Sequence, residues 1–176
     1  TYPDLYAEWS VNEKVSLEVA IGAAYAGSRA FCCMKHVGMN VASDALMTLT
    51  LTGVVGGLVI AIADDVGLSS SQNEQDSRYF ADFAMVPCLE PADQQQCYDF
   101  TRQAFELSET LQVPVLLRLV TRLAHSRAAV RAGARRPPNG AGWVPDPQRF
   151  TLVPVNARRA YAALVDKQDA LRDWST

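Results

Sequence analysis

Six consecutive residues, Leu58-Val59-Ile60-Ala61-Ile62-Ala63, are apolar and rich in β-branched side chains. A run this short with no polar alternation reads as a strand buried on both faces. That places it inside a parallel sheet with helices on either side. The full apolar stretch, residues 54–63, is about half the ~18 residues of a membrane span, and two glycines interrupt it. No membrane partner is expected.

The rest of the chain alternates in the same way. Residues 30–34 and 114–120 read as further buried strands, and 86–89 as a shorter one. Helical spacing is expected over residues 10–27, 40–52, 74–83 and 90–111, the last opening at Pro91. Strands that alternate with helices predict an α/β fold: a doubly wound parallel sheet with helices on both faces. The first helix has a capping box, Ser10 followed by Glu13. Gly22, Ala23, Ala26 and Gly27 give it a bare face, expected to press against the sheet. Residues 35–40 and 121–127 are expected to be turns at strand carboxyl ends, where open α/β sheets bind ligands. Residues 64–73 are expected to form a polar loop at a third such end. Residues 1–134 are taken as the α/β domain. Residues 135–176 are taken as a linker, rich in Pro and Gly at its start, and a connector helix over 157–174 with Tyr161, Leu164 and Leu171 as its apolar stripe.

Charge is divided unevenly. Residues 1–126 carry seven Lys/Arg against fifteen Asp/Glu, and residues 127–176 carry nine against four. A basic tail docked on an acidic body accounts for this. The basic residues are scattered, without interleaved aromatics, so no nucleic-acid partner is expected. Cysteines stand at 32, 33, 88 and 97, with no metal-binding spacing. Adjacent cysteines on a strand point to opposite faces, so buried reduced thiols are expected and no metal site.

Three runs, taken in order, resemble one family. They are S-x-N-E-K-x-x-x-E-x-A-I-G-A-A-Y-A-G followed by M-K-H-V-G-M-N, then S-S-Q-N-E-Q-D-S-R-Y from Ser70, then T-R-L-A-H-S-R from Thr121. The pattern is similar to the large (alpha) subunit of the indolepyruvate:ferredoxin oxidoreductases, within the thiamine diphosphate-dependent 2-oxoacid:ferredoxin oxidoreductase family. The resemblance implies a pyrimidine-binding domain, with Glu13 as the catalytic acid that contacts the cofactor's aminopyrimidine ring. It makes Gly38, Gln72 and Asn73 cofactor neighbours. It makes Lys35, His36 and Arg122 candidates for the substrate carboxylate, with His125 beside Arg122. Glu8 and Glu18 are alternatives to Glu13, and the capping box is its bland role. The chain departs from the pattern at Ser69, where relatives carry a histidine.

The same resemblance implies a cytoplasmic enzyme that oxidatively decarboxylates an aryl 2-oxoacid to its acyl-CoA and passes electrons to ferredoxin. Magnesium and iron–sulfur clusters would be held by parts of the enzyme outside this sequence. The implied partners are the diphosphate-binding domain of the same subunit, a small (beta) subunit and ferredoxin. The chain opens on Thr1 and lacks the strand and Pro-Gly-Thr-Pro-like turn with which the family begins. It is therefore expected to be an internal piece, inactive alone, with an open sheet edge through which it would form an oligomer. The competing readings are a nucleotide-binding α/β domain, a scaffold that kept the fold without the chemistry, and a 2-oxoacid oxidoreductase of different substrate. Against the first, residues 22–27 are not G-x-G-x-x-G and fall within a helix.

Overall fold

The structure, a computed structural model, describes residues 4–175. Strands β1 (Ala30–Lys35), β2 (Leu58–Asp64), β3 (Cys88–Leu89) and β4 (Val115–Val120) form one parallel sheet in the order β1-β2-β4-β3. Helices α1 (Glu13–Tyr25), α2 (His36–Thr52), α3 (Arg78–Ala84) and α4 (Gln94–Leu111) alternate with them, and α5 (Thr121–Ala124), α6 (Pro147–Phe150) and α7 (Pro154–Ser175) follow. All three strand pairings are parallel.

The apolar run at residues 58–63 is the central strand. Leu58, Ile60 and Ile62 pack with α1, α2 and α3, while Val59 and Ala61 pack on the other side with Ala104 and Leu107 of α4. At roughly 25 cal/mol per Å² of apolar surface removed from water, each fully buried Leu or Ile contributes about 1.5–3 kcal/mol. Two-sided burial is the reason the sequence shows no alternation here. Strand β1 does alternate: Ala30, Cys32 and Met34 are buried while Phe31 and Cys33 are exposed. It forms one edge of the sheet. The expectation of buried thiols holds for Cys32 only. Cys33 is exposed, and Cys88 and Cys97 are half-buried.

Several boundaries differ from expectation. Asn12, not Ser10, caps α1: its side-chain oxygen accepts from Val15 N at 3.0 Å. The capping box therefore does not form, because Glu13 is already the first helical residue. The small-residue face does not press on the sheet either. Gly22 and Ala26 are exposed, and the buried face is Leu17, Ala20 and Ala24. Gly27 is left-handed, with φ of 89°, and its Cα faces the backbone of Ala141 and Gly142, so a side chain there would be excluded twice over. The turn expected over residues 35–40 is absent, since α2 starts at His36 directly after β1. Helix α3 begins at Arg78, later than expected, because residues 65–77 fold on buried acids instead. Helix α4 begins at Gln94, past Pro91, where Asp93 accepts from Gln96 N.

The segment after α5 lies along the domain. Arg29 donates to Pro137 O, Arg136 to Arg102 O, and Asn139 to Glu109. Arg135 pairs with Asp4 at 2.8 Å, and Arg136 pairs with Glu106. These contacts put basic tail residues on acidic body residues. Helix α7 then returns to pack on α2, with Leu164 buried between them. Of its other expected stripe residues, Leu171 is half-buried and Tyr161 is exposed. No helix among the described residues is long and apolar enough to cross a membrane.

Candidate active site

A parallel sheet delivers the carboxyl ends of its strands to one rim. Here β1, β2 and β4 end at Lys35, Asp64 and Val120. Glu13 reaches this rim from the first position of α1. Its side chain is half-buried and lies against Gly38, in the first turn of α2. A Cβ at position 38 would overlap Glu13 Cγ and stand 3.0 Å from Cδ and Oε1. Glycine at 38 is thus a steric requirement for this placement of Glu13, and not a conformational one. Among the described residues the Glu13 carboxylate takes no hydrogen bond and no ion pair. The alternatives are engaged elsewhere at exposed positions: Glu8 accepts from Tyr6 OH at 2.7 Å, and Glu18 pairs with Lys14 at 3.8 Å. The Glu8 contact also raises the Tyr6 phenol above its usual range.

His36 departs from its expected role at the substrate. It is completely buried. Its Nε2 lies 3.1 Å from Asn73 O, and its Nδ1 3.4 Å from Ala63 O. Both partners are carbonyls. A neutral ring donates from one nitrogen, and the shorter contact favours Nε2–H. The ring therefore ties the start of α2 to the loop after β2 and leaves no nitrogen for a carboxylate. Lys35 is half-buried and donates to Ser70 O at 3.3 Å, again holding the loop. Gln72 and Asn73 are exposed on that loop, with Gln75 Nε2 donating to Asn73 Oδ1 at 3.0 Å. Arg122 and His125 are exposed at the end of β4, with Arg122 in α5.

Two acids that the sequence reading did not single out build the loop. Asp65 accepts four hydrogen bonds: from Ser69 N at 3.1 Å, Ser70 N at 2.7 Å, Ser71 Oγ at 2.6 Å and Thr121 Oγ1 at 2.9 Å. Ser71 contributes most to holding this carboxyl far below its ordinary range, followed by the Ser70 N–H. Asp64 is fully buried. It accepts from Ser77 N at 2.9 Å, from the Ser77 hydroxyl, and from Arg118 Nε at 2.6 Å. Arg118 also reaches Glu90 at 3.3 Å and Asp76 at 3.6 Å. Burial pulls the Arg118 guanidinium down, but the Asp64 bond and the three carboxylates hold it above its usual value. Asp76 sits at about 2, lowered chiefly by the Arg78 side chain and also by the Arg78 N–H and the Arg118 charge. The signal was present in the sequence: two acids directly after an apolar strand, and an arginine inside another.

The first turn of α2 joins these parts. Gly38 receives Glu13 and His36 grips Asn73, two residues apart and so on different sides of the helix. The result is a free carboxylate on one helix N-terminus, beside the N-terminus of a second, next to a loop pinned by its backbone.

The model of the family described as pyruvate flavodoxin/ferredoxin oxidoreductase, thiamine diphosphate-binding, matches residues 9–137. The indolepyruvate oxidoreductase subunit IorA of Methanothermobacter thermautotrophicus is 52% identical over 169 residues, which is 96% of this chain and 27% of that protein. IorA of Thermococcus kodakarensis is 43% identical over 175 residues, again 27% of its length. The chain spans about a quarter of the length of these relatives. Among solved structures, the 2-oxoglutarate:ferredoxin oxidoreductase of Magnetococcus marinus shares the fold at a TM-score of 0.64 and 15% identity, over 93% of this chain and 36% of that one. A thiamin diphosphate-dependent enzyme from Mycobacterium smegmatis does so at 0.53 and 21% identity, over 71% of this chain and 26% of that one.

Proposed function

From the premise that this chain belongs to the pyruvate flavodoxin/ferredoxin oxidoreductase family of thiamine diphosphate-binding domains, we propose that it forms the pyrimidine side of the active site of an indolepyruvate-type 2-oxoacid:ferredoxin oxidoreductase. The supporting observation is the Glu13 carboxyl, unpartnered among the described residues and lying over Gly38. Only a residue without a Cβ at 38 leaves room for the acid at this rim, where an aminopyrimidine ring would meet it, so the residues present fit the cofactor. Bound thiamine diphosphate would supply the carbanion that adds to the 2-oxoacid carbonyl. Glu13 holds and returns a proton at the aminopyrimidine ring nitrogen, the kind of positioned proton transfer worth about 10²–10⁴ in rate. Lys35, Gln72 and Asn73 line the rim, and the exposed Arg122 offers two parallel donors to a substrate carboxylate.

The name of the IorA relatives favours an aryl 2-oxoacid as substrate, the family's name favours ferredoxin as electron acceptor, and the Magnetococcus marinus enzyme, solved with coenzyme A and succinyl-CoA bound, favours coenzyme A as acyl acceptor. Turnover would need the diphosphate-binding domain of the same subunit with its magnesium, the iron–sulfur clusters and a small subunit, and the piece alone would be inactive. The decisive experiment is Glu13→Gln in the full-length cytoplasmic enzyme. Thiamine-dependent, indolepyruvate-driven reduction of ferredoxin should fall at least about 100-fold with the melting temperature retained. Unchanged turnover would remove Glu13 from this role and favour a scaffold that kept only the fold.

A further inference from the structure

At the opposite end of the sheet from Glu13, the carboxyl end of α2 meets α6 and α7 around a cleft of about 340 Å³. Its walls carry three cations, Arg149, Arg159 and Lys167, against one carboxylate, Asp146. That carboxylate is already engaged: Asp146 Oδ1 accepts from Gln148 N and Arg149 N, both at 3.1 Å, as the cap of α6. Arg149 is committed on one side. Its Nε donates to Thr52 O at 2.7 Å and its Nη2 to Val54 O at 2.8 Å. The first bond satisfies the last carbonyl of α2 and the second a carbonyl two residues beyond it, and the guanidinium charge offsets the negative end of the helix dipole, which would otherwise repel an anion. Arg149 Nη1 is not used by these bonds. Among the described residues Arg159 makes only a 3.4 Å contact, to Gln148 Oε1. Lys167 is half-buried and has no hydrogen bond or ion pair among the described residues. Burial and the facing Arg149 both lower its ammonium below the usual value.

Two positive charges are thus uncompensated in a concave site, and one of them is an unpaired half-buried lysine. A half-buried ammonium facing a guanidinium is unfavourable unless an anion sits between them. Arg159 and Lys167 lie eight residues apart on α7, so both project from one face of the helix towards Arg149. Leu164 and Ala163 floor the space between. A tetrahedral dianion balances both charges and accepts from several donors at once. We propose that this cleft binds a phosphate group, either as the free ion or carried on a small molecule that lays its body against the Ala163–Leu164 wall.

The test is calorimetric titration of the full-length subunit, its thiamine diphosphate site saturated beforehand, with inorganic phosphate at constant ionic strength. Saturable binding is expected. Lys167→Met, which keeps the stem, and Arg159→Gln, at an exposed position, should each weaken it at least tenfold without lowering the melting temperature. Adenosine monophosphate titrated in parallel identifies the source: tighter binding than phosphate marks a carried group, and equal binding marks the free ion. No saturable binding, or binding that survives both substitutions, overturns the proposal. Glu13→Gln should bind phosphate as the parent does, so failure here is distinguishable from failure of the proposed catalytic role.

Discussion

Gly38→Ala separates placement of the carboxyl from stability. Gly38 lies in α2 with helical backbone, so an alanine there gains about 0.8–1 kcal/mol of intrinsic helix propensity. The added Cβ would overlap Glu13 Cγ and stand 3.0 Å from its Cδ and Oε1. The obstacle is one half-exposed side chain with no partner to lose, and not backbone. Glu13 can therefore swing away at a cost of about 0.5–1.5 kcal/mol, the price of an unfavourable rotamer. The two effects nearly cancel. For a chain of this size the melting temperature should shift by no more than about 2–4 °C. Activity should not survive the swing, because the acid leaves the rim at which it is proposed to meet the cofactor. A loss of about 100-fold or more in ferredoxin reduction is expected. Steady-state turnover of the full-length enzyme and a thermal melt read the two quantities separately. Combining Gly38→Ala with Glu13→Gln should give little further loss, since both remove one function. Near-parental turnover in Gly38→Ala, or a loss that simply follows a lowered melting temperature, would refute the steric account of why glycine stands there.

The buried ion pair behaves differently. Arg118→Met should destabilise by about 3–5 kcal/mol, because Asp64 is then left charged and buried. Adding Asp64→Asn should recover part of the loss in urea midpoint, and failure to recover would show that Asp64 is satisfied by Ser77 alone. Asp76 carries an acid dependence. Its folded value of about 2 lies below the ordinary ~3.9 of an unfolded aspartate. Its contribution to stability is therefore complete above about pH 4 and lost as pH falls towards 2. The difference in melting temperature between the parent and Asp76→Asn should shrink over that window, and a constant difference would argue against the Arg78 and Arg118 contacts as its cause.

The parts of the fold that were legible are those where burial alone decides the residue type. The run at 58–63 has no polar option at any position because both of its faces are covered, and its sequence says so directly. Helix starts were less legible, because Ser10 and Asn12 are both good caps two residues apart. The choice of Asn12 moved Glu13 out of a capping box and freed it. The composition of residues 64–73 predicts only a polar loop. That composition does not show that Asp65 and Asp64 gather the loop's N–H groups and hydroxyls: the N–H partners are backbone atoms with no sequence signature, and the hydroxyls of Ser71, Ser77 and Thr121 pair at no fixed spacing.

The same limit explains His36. Its place in a turn expected at a strand end made it a candidate for the substrate carboxylate. Continuing the chain straight into α2 instead rotates that side chain under the loop, where its partners are again two carbonyls. For Glu13 spacing alone points to a capping box, and it is the family resemblance that singles the acid out; the structure shows that the box does not form and that the carboxylate has no partner among the described residues. What the structure adds is the reciprocal residue. Gly38 has no chemistry of its own, yet the position of the acid depends on the atom it lacks. Substitution at either residue should therefore disturb the same function, although only one of the two can carry a proton.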